Sequence, residues 1–284
     1  MRIAFVGTGV MGAPMVRHLA AQGHELLLYN RSPEKAQALA DCARVAGSLA
    51  EAVVGAEAIM TIVGFVRDVE EVYFAPAGIL DSASPGSIVC DMTTSSPELA
   101  RRIAEVASRR ELRALDAPVT GGDRGAREGR LSMMVGGDLE AFKKMEPIFA
   151  AFCARINYMG EAGQGQHTKL ANQICIAGAL GGVAEALAYA EAQGLDTQQV
   201  LDVICHGSAA SWQAENNGPK MLTADMAPGF YLKHFLKDIR LGQEGAREGQ
   251  YPLTQALKLI LEELVERGYG NLGTQALIKH YRED

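Results

Sequence analysis

Two hydrophobic rhythms divide this chain, and the change falls near residue 160. In the first part, short apolar runs recur: "RIAFV" (2–6), "ELLLYN" (25–30), "AIMTIVG" (58–64) and "GSIVCDM" (86–92). Each has the length of a strand, which predicts strands buried on both sides. The stretches between them carry apolar residues at helical spacing. "APMVRHLAAQG" (13–23) ends on a glycine where a helix would stop, and "SPEKAQALADC" (32–42) and "SPELARRIAEVASRR" (96–110) both open on a Ser-Pro-Glu helix start. Strands alternating with helices predict a parallel sheet covered on both faces. From "LRALDAPV" (112–119) to "RINYMG" (155–160) the strands continue, around a helix "DLEAFKKMEPIFAAFC" (138–153).

Beyond Gly160 no strand is predicted. Residues 166–194, 196–207, 231–249 and 253–268 all read as helix. The expected organisation is a doubly wound α/β domain over residues 1–162, then an all-α domain over 163–284. The boundary falls in the glycine-rich loop between Gly160 and Gly165. The pentapeptide "GAREG" occurs at 125 and at 245, one copy expected in a loop and the other at a helix end; no solenoid-type repeat is present.

Composition narrows the function. Of 284 residues, 48% are hydrophobic and 21% charged, the profile of a soluble globular protein. A net charge of −7 argues against a nucleic-acid surface, which needs a basic stripe. Five widely spaced cysteines with no CxxC pair suggest reduced thiols in a cytoplasmic protein. The N-terminus lacks the pattern of a signal peptide. The apolar run Ile174–Ala184 is short for a bilayer span before Glu185 interrupts it, so no membrane partner is expected.

Four stretches carry candidate chemistry. Gly7-Thr8-Gly9-Val10-Met11-Gly12 lies between the first strand and the first helix. In such a turn the first glycine permits the bend, the second lets a pyrophosphate approach the backbone, and the third lets the helix pack on the strand. The first domain is therefore expected to be Rossmann-type. At the end of the second strand the chain reads Asn30-Arg31-Ser32, where NAD enzymes carry Asp or Glu for the ribose 2′-hydroxyl. With no carboxylate there, and with Arg31 able to grip a 2′-phosphate, the expected cofactor is NADP, with NAD as the alternative; a solvated surface arginine is the plainer reading of Arg31.

Thr120-Gly121-Gly122 follows a strand directly. A hydroxyl beside exposed backbone amides can hold a carboxylate, although on these residues alone a plain surface turn is the simpler reading. Lys169 sits near the start of the first long helix of the second domain. Burial and the positive helix end both favour loss of its proton, which suits it to give a proton to a carbonyl or take one from an alcohol; a snorkelling surface lysine is the generic alternative. Asn172 and Gln173 stand one turn on, where either can hold a substrate or orient the amine. His167 stands near Lys169 but can equally face solvent. The chain shows no zinc-binding spacing, and no metal is expected.

Taken in order, these motifs resemble the β-hydroxyacid dehydrogenases, a family that includes 3-hydroxyisobutyrate dehydrogenase, tartronate semialdehyde reductase and the glyoxylate/succinic semialdehyde reductases. The glycine turn resembles the family's GxGxMG. Asp116 to Gly122, "DAPVTGG", resembles its substrate-binding stretch. Gly163, Gly165 and Lys169 resemble its catalytic stretch, and Lys237-Asp238 its late KDxxLA-like segment, with Gly242 where alanine is usual. The resemblance implies Lys169 as the catalytic residue and Thr120, Gly121 and Gly122 as carboxylate ligands. It places Thr94 near substrate and nicotinamide, Phe230 and Lys237 at the cofactor, and Asp238 beside the site. It also assigns substrate binding and oligomerisation to the all-α domain, and implies a homodimer or homotetramer.

Two departures stand out. Threonine replaces the serine often found at position 120, and Gln173 replaces the usual asparagine, with Asn172 one residue earlier; which of the two faces the substrate stays open. The expected activity is NADP-preferring interconversion of a small 3-hydroxy acid and its semialdehyde. Alternatives are tartronate semialdehyde, succinic semialdehyde or glyoxylate reduction, or oxidation of a serine-type 3-hydroxy acid. A non-catalytic nucleotide sensor is the reading from another class, and Lys169 argues against it.

Overall fold

The computed structural model describes residues 1–244, 246–247 and 249–282. It forms two compact units, Met1–Lys169 and Leu170–Asp284. The first is built around one sheet. Its elements run β1 (Arg2–Val6), α1 (Gly12–Ala21), β2 (Glu25–Tyr29), α2 (Pro33–Gln37), β3 (Arg44–Val45), α3 (Leu49–Val53), β4 (Ala58–Thr61), α4 (Val66–Phe74), α5 (Ile79–Ser82), β5 (Ile88–Asp91), α6 (Pro97–Arg109), β6 (Arg113–Asp116), β7 (Val119–Thr120), α7 (Gly122–Arg127), β8 (Leu131–Gly137), α8 (Leu139–Phe149), β9 (Cys153–Gly160) and the start of α9 (Gln164–Ala192).

β1 shows why the sheet is covered on both faces. Its side chains alternate, as strand geometry requires. Ile3 and Phe5 enter one apolar cluster with Met15, Leu19 and Met60, while Ala4 and Val6 enter the other with Val53, Ile59 and Val89. Fully burying a side chain such as Phe5 or Ile3 contributes about 1.5–3 kcal/mol.

Strands β3-β2-β1-β4-β5-β6 are parallel, and the order reverses across β1, which lies between β2 and β4. The parallel sheet expected from the strand–helix alternation forms over these six strands, and antiparallel pairing enters only beyond β6. β8 runs antiparallel to β6 and β7, and β9 then pairs in parallel with β8. The segment 121–130 holds only the short α7 and falls below the roughly dozen residues a parallel crossover needs. The two Ser-Pro-Glu starts also differ. Ser96 accepts hydrogen bonds from Glu98 and Leu99 N–H and opens the 13-residue α6, whereas Ser32 makes no side-chain cap and α2 ends after five residues.

The second unit is helical: the remainder of α9, α10 (Thr197–His206), α11 (Trp212–Leu222), α12 (Leu232–Gln243), α13 (Pro252–Glu266) and two 3-10 turns (Tyr269–Asn271, Thr274–His280). α11 is missing from the sequence reading, because Gly218 and Pro219 interrupt its pattern; Ser211 caps it through the Ala214 N–H. The helix expected over 231–249 stops at Gln243, and Gly245 and Glu248, in the second "GAREG", lie outside the described residues, as do Glu283 and Asp284.

α9 runs through Glu185, as the helix expected over 166–194 requires. By length and composition alone this 29-residue helix could cross a bilayer. Its apolar side chains Leu180, Val183, Ala184 and Leu187 are instead core residues of the helical unit, which accounts for its composition.

Candidate active site

The turn after β1 shows what each glycine does. Gly7 has φ +99°, and its N–H bonds the Tyr29 carbonyl at 2.9 Å. A Cβ at Gly12 would stand 2.0 Å from the Gly7 carbonyl oxygen, so the helix packs directly on the turn. A Cβ at Gly9 would meet nothing within 4 Å, which leaves that backbone open. α1 starts here with no side-chain cap and no acid in its first turn, leaving its positive end available to an anion. Val10 is exposed, while Thr8 is buried and its Oγ1 has no hydrogen-bond partner. An open cradle with an unsatisfied buried hydroxyl fits a dinucleotide pyrophosphate. Asn30 spends its amide on bracing: Oδ1 accepts the Thr8 N–H at 3.0 Å, and Nδ2 donates to the Ser32 carbonyl at 2.9 Å.

Arg31 stands at the end of β2 with 75% of its side chain exposed, but the premise that no carboxylate is near it needs correcting. Asp68, in the first turn of α4, accepts the Phe65 N–H on Oδ2 (3.0 Å) and Arg31 Nη1 on Oδ1 (3.1 Å), and Glu71 lies 3.9 Å away. Both carboxylates are delivered by α4, so the residues at the end of β2 carry no trace of them. The Arg31–Asp68 bond uses one of the guanidinium's five donors.

The C-terminal ends of β5 and β6 carry two carboxylates, Asp91 and Asp116, in register on neighbouring strands. Both are buried. Asp91 accepts from the Thr93 N–H and from Thr61 Oγ1, each at 3.0 Å. Asp116 accepts the Gly163 N–H on Oδ1 and the Gln166 N–H on Oδ2, both at 2.8 Å. Burial pushes each carboxyl up to about 6, partly opposed by these hydrogen bonds.

The same bonds anchor the start of α9. Gln166, 0% exposed, accepts the Ser95 N–H at 2.9 Å and donates to the Thr93 carbonyl at 2.7 Å, one residue to either side of the half-buried Thr94. Lys169 follows in the second turn and is only 6% exposed. The glycines before it are needed because the helix start presses on the strand ends. A Cβ at Gly165 would lie 2.5 Å from the Asp116 carbonyl oxygen, and Gly163 has φ +89°. His167 lies 3.5 Å from Arg101 Nη1, and burial, then Arg101, lowers its pKa.

Thr120 ends β7, and Gly121 and Gly122 follow with φ +126° and +64°. A Cβ at Gly122 would meet nothing within 4 Å, so the backbone there lies open.

In the helical unit, Gln173 is buried and donates from Nε2 to Asp238 Oδ2 at 2.7 Å; Asn172 is half-buried and donates from Nδ2 to Gln173 Oε1 at 3.1 Å. Lys237 Nζ lies 3.1 Å from Asp238 Oδ1, an ion-pair distance without the direction of a hydrogen bond. Phe230 is 37% exposed. A Cβ at Gly242 would rest 3.4 Å from Ile174, in ordinary contact. Among the described residues, no group of three or more His, Cys, Asp or Glu side chains is placed to hold a metal.

The roles of Asp116 in holding the start of α9, of Gln166 and of Asp68 are not among the sequence expectations, although Asp116 falls within the "DAPVTGG" stretch. Asp116 carries a signal, a carboxylate closing a buried strand. Gln166 and Asp68 carry none.

Comparison with known proteins agrees with this architecture. Residues 2–160 match the NAD binding domain of 6-phosphogluconate dehydrogenase, and residues 163–281 match the NAD-binding domain of NADP-dependent 3-hydroxyisobutyrate dehydrogenase. The uncharacterized oxidoreductase YkwC of Bacillus subtilis is 45% identical over 98% of this chain and 97% of its own. The probable 3-hydroxyisobutyrate dehydrogenase-like 1, mitochondrial, of Arabidopsis thaliana is 41% identical over 98% of this chain and 84% of its own. Among solved structures, Mycobacterium tuberculosis 3-hydroxyisobutyrate dehydrogenase with L-serine is 30% identical, with a TM-score of 0.90 over 99% of both chains. An open glycine cradle on a Rossmann-type sheet, a buried lysine on the following helix and relatives matched along nearly the whole chain lead to one conclusion: this protein belongs to the β-hydroxyacid dehydrogenase family of NAD(P)-dependent 3-hydroxyacid dehydrogenases.

Proposed function

We propose that this chain interconverts a small 3-hydroxy acid and its semialdehyde, 3-hydroxyisobutyrate first among candidates, using NADP(H) in preference to NAD(H), with Lys169 moving the proton. The observation that carries this reading is the buried lysine itself. It lies in the second turn of a helix whose start is bonded to the loop after β5, in the same unit as the open glycine turn. The 2′-phosphate assignment rests on Arg31 and on the description of the family that matches residues 163–281.

Gly7, Gly9, Gly12 and the α1 end are suited to hold the pyrophosphate, and Arg31 the 2′-phosphate. When bound, the reduced nicotinamide supplies the hydride that becomes the new C–H bond of the alcohol. Lys169 gives its proton to the carbonyl oxygen, which becomes the hydroxyl. In the oxidative direction the neutral amine takes that proton back. The Thr120–Gly122 backbone and hydroxyl hold the substrate carboxylate, and Thr94 borders the reacting carbon. Gln173 and Asp238 act as a bonded pair with Asn172 beside them, and Phe230 and Lys237 serve the cofactor. Exposed apolar side chains on the helical unit, Tyr189, Val203 and Trp212 among them, support association into a homodimer or homotetramer.

The test is a panel of 3-hydroxyisobutyrate, tartronate semialdehyde, succinic semialdehyde, glyoxylate and serine, followed at the nicotinamide absorbance with NADP(H) and with NAD(H). Lys169→Ala should lower kcat by about 10²- to 10⁴-fold with cofactor binding retained. Unchanged turnover in that variant removes the mechanism.

A further inference from the structure

We infer that Asp116 and Gln166 are positioning residues for the proton transfer: together they clasp the start of α9 to the strand ends and to the Thr94 loop, and so set where the Lys169 amine stands. The inference rests on Lys169 as the proton carrier.

Most helix starts in this protein are capped, if at all, from next door. Ser96, Asp138, Asp196 and Ser211 each accept an N–H from the helix that they immediately precede. α9 receives its cap from β6, since Asp116 is 47 residues from Gly163 and 50 from Gln166. A neighbouring residue would satisfy the same orphan N–H groups equally well. A remote cap does something more, because it fixes the helix start against a rigid strand. Gln166 adds the second half of the clasp. Its buried amide is satisfied at both ends, and both partners are backbone groups flanking Thr94. Fully satisfied buried networks of this kind hold a single arrangement. The amine on Lys169 and the loop expected beside the reacting carbon are therefore placed by the same bonds. A displacement of the amine of about 1 Å is enough to cost about a hundredfold in rate.

Gln166→Glu supplies a test that a purely structural role would not pass. A protonated glutamic acid reproduces both bonds, its carbonyl oxygen accepting from the Ser95 N–H and its hydroxyl donating to the Thr93 carbonyl. Once ionised it turns an oxygen against that carbonyl and the clasp opens. Burial raises the pKa of such a carboxyl, which brings the change into the working range. The ratio of kcat in Gln166→Glu to kcat in the unaltered protein should rise on the order of tenfold from about pH 8.5 to about pH 6. The surrounding titratable groups, Asp116 on β6, Asp91 on β5, His167 on α9 and Arg101 on α6, occur in both proteins, so the ratio removes their shared contribution. Asp116→Asn, which keeps one carbonyl acceptor and loses the other, should lower kcat about tenfold while the dissociation constant for NADPH stays within about twofold; it serves alone if Gln166→Glu does not fold.

Both are measured with the panel substrate of highest kcat/KM. A pH-independent ratio overturns the inference, as does an Asp116→Asn variant with unaltered kcat. A Lys169→Ala variant that still turns over at the original rate defeats the proposed function instead, so the two failures are distinguishable.

Discussion

Gly9 and Gly12 are three residues apart in one turn, and the structure assigns them opposite sensitivities. A methyl at Gly12 would lie 2.0 Å from the Gly7 oxygen and 3.1 Å from both the Gly7 carbonyl carbon and Ile62 Cγ2. Restoring ordinary contact requires the backbone of the turn or of α1 to move by more than about 1 Å, since the nearest atom belongs to no flexible side chain. Overpacking of this kind costs about 3 kcal/mol, which lowers the melting temperature by about 6–12 °C for a unit of this size. At Gly9 the added methyl meets nothing within 4 Å. Gly9→Ala should therefore fold with unchanged or slightly raised stability, because alanine narrows the unfolded ensemble by about 0.5 kcal/mol. On the proposed binding mode the same methyl stands in the path of the pyrophosphate, so NADPH affinity should fall by at least about tenfold, or about 1.4 kcal/mol.

Thermal unfolding with and without NADPH, together with a fluorescence titration, separates the two effects. At a ligand concentration about 100 times Kd, the unaltered protein should gain about 2.7 kcal/mol, and Gly9→Ala should lose much of that gain. Gly12→Ala should melt early even without ligand. A Gly9→Ala protein that binds NADPH at the original affinity, or a Gly12→Ala protein that melts at the original temperature, refutes the division of roles.

Three further outcomes are expected. Arg31→Asp should swing the ratio of kcat/KM for NADP over NAD by at least about tenfold toward NAD, and an unchanged ratio would remove the 2′-phosphate role. Burial holds Asp91 at about 6 against an ordinary 3.8, so the folded state binds that proton more tightly; the group's contribution to stability is complete below about pH 4 and is lost as pH rises through about 6. Relative to the unaltered protein, Asp91→Asn should thus be more stable at about pH 8 than at about pH 5, by on the order of 1 kcal/mol; a pH-independent difference in melting temperature contradicts this. Gly242→Ala fills a space beside Ile174 near the end of α12 and should stabilise by about 0.5–1 kcal/mol, read as a rise in melting temperature, whereas a drop would show that the helix cannot accept the methyl.

Local pattern alone determined a good deal of this protein. Five parallel strands, β1, β2, β4, β5 and β6, and the long helices α6, α8 and α13 announce themselves by periodicity, because burial on two faces or one leaves a regular trace in sequence. The glycine turn, and Lys169 and Thr120–Gly122 as candidate site residues, could be picked out because each depends on residue type at fixed spacing. What local pattern missed is what depends on distant chain. β3 and β7, of two residues each, hold no period to read, and their partners alone make them strands. The antiparallel turn of β8 follows from a connection too short to cross over. Arg31 meets Asp68 only because α4 packs beside the end of β2, and Asp116 reaches Gly163 only because β6 ends where α9 begins. Hydrogen bonds and ion pairs act over about 3 Å in space, and across such separations in sequence only the packed fold decides which groups come within that range.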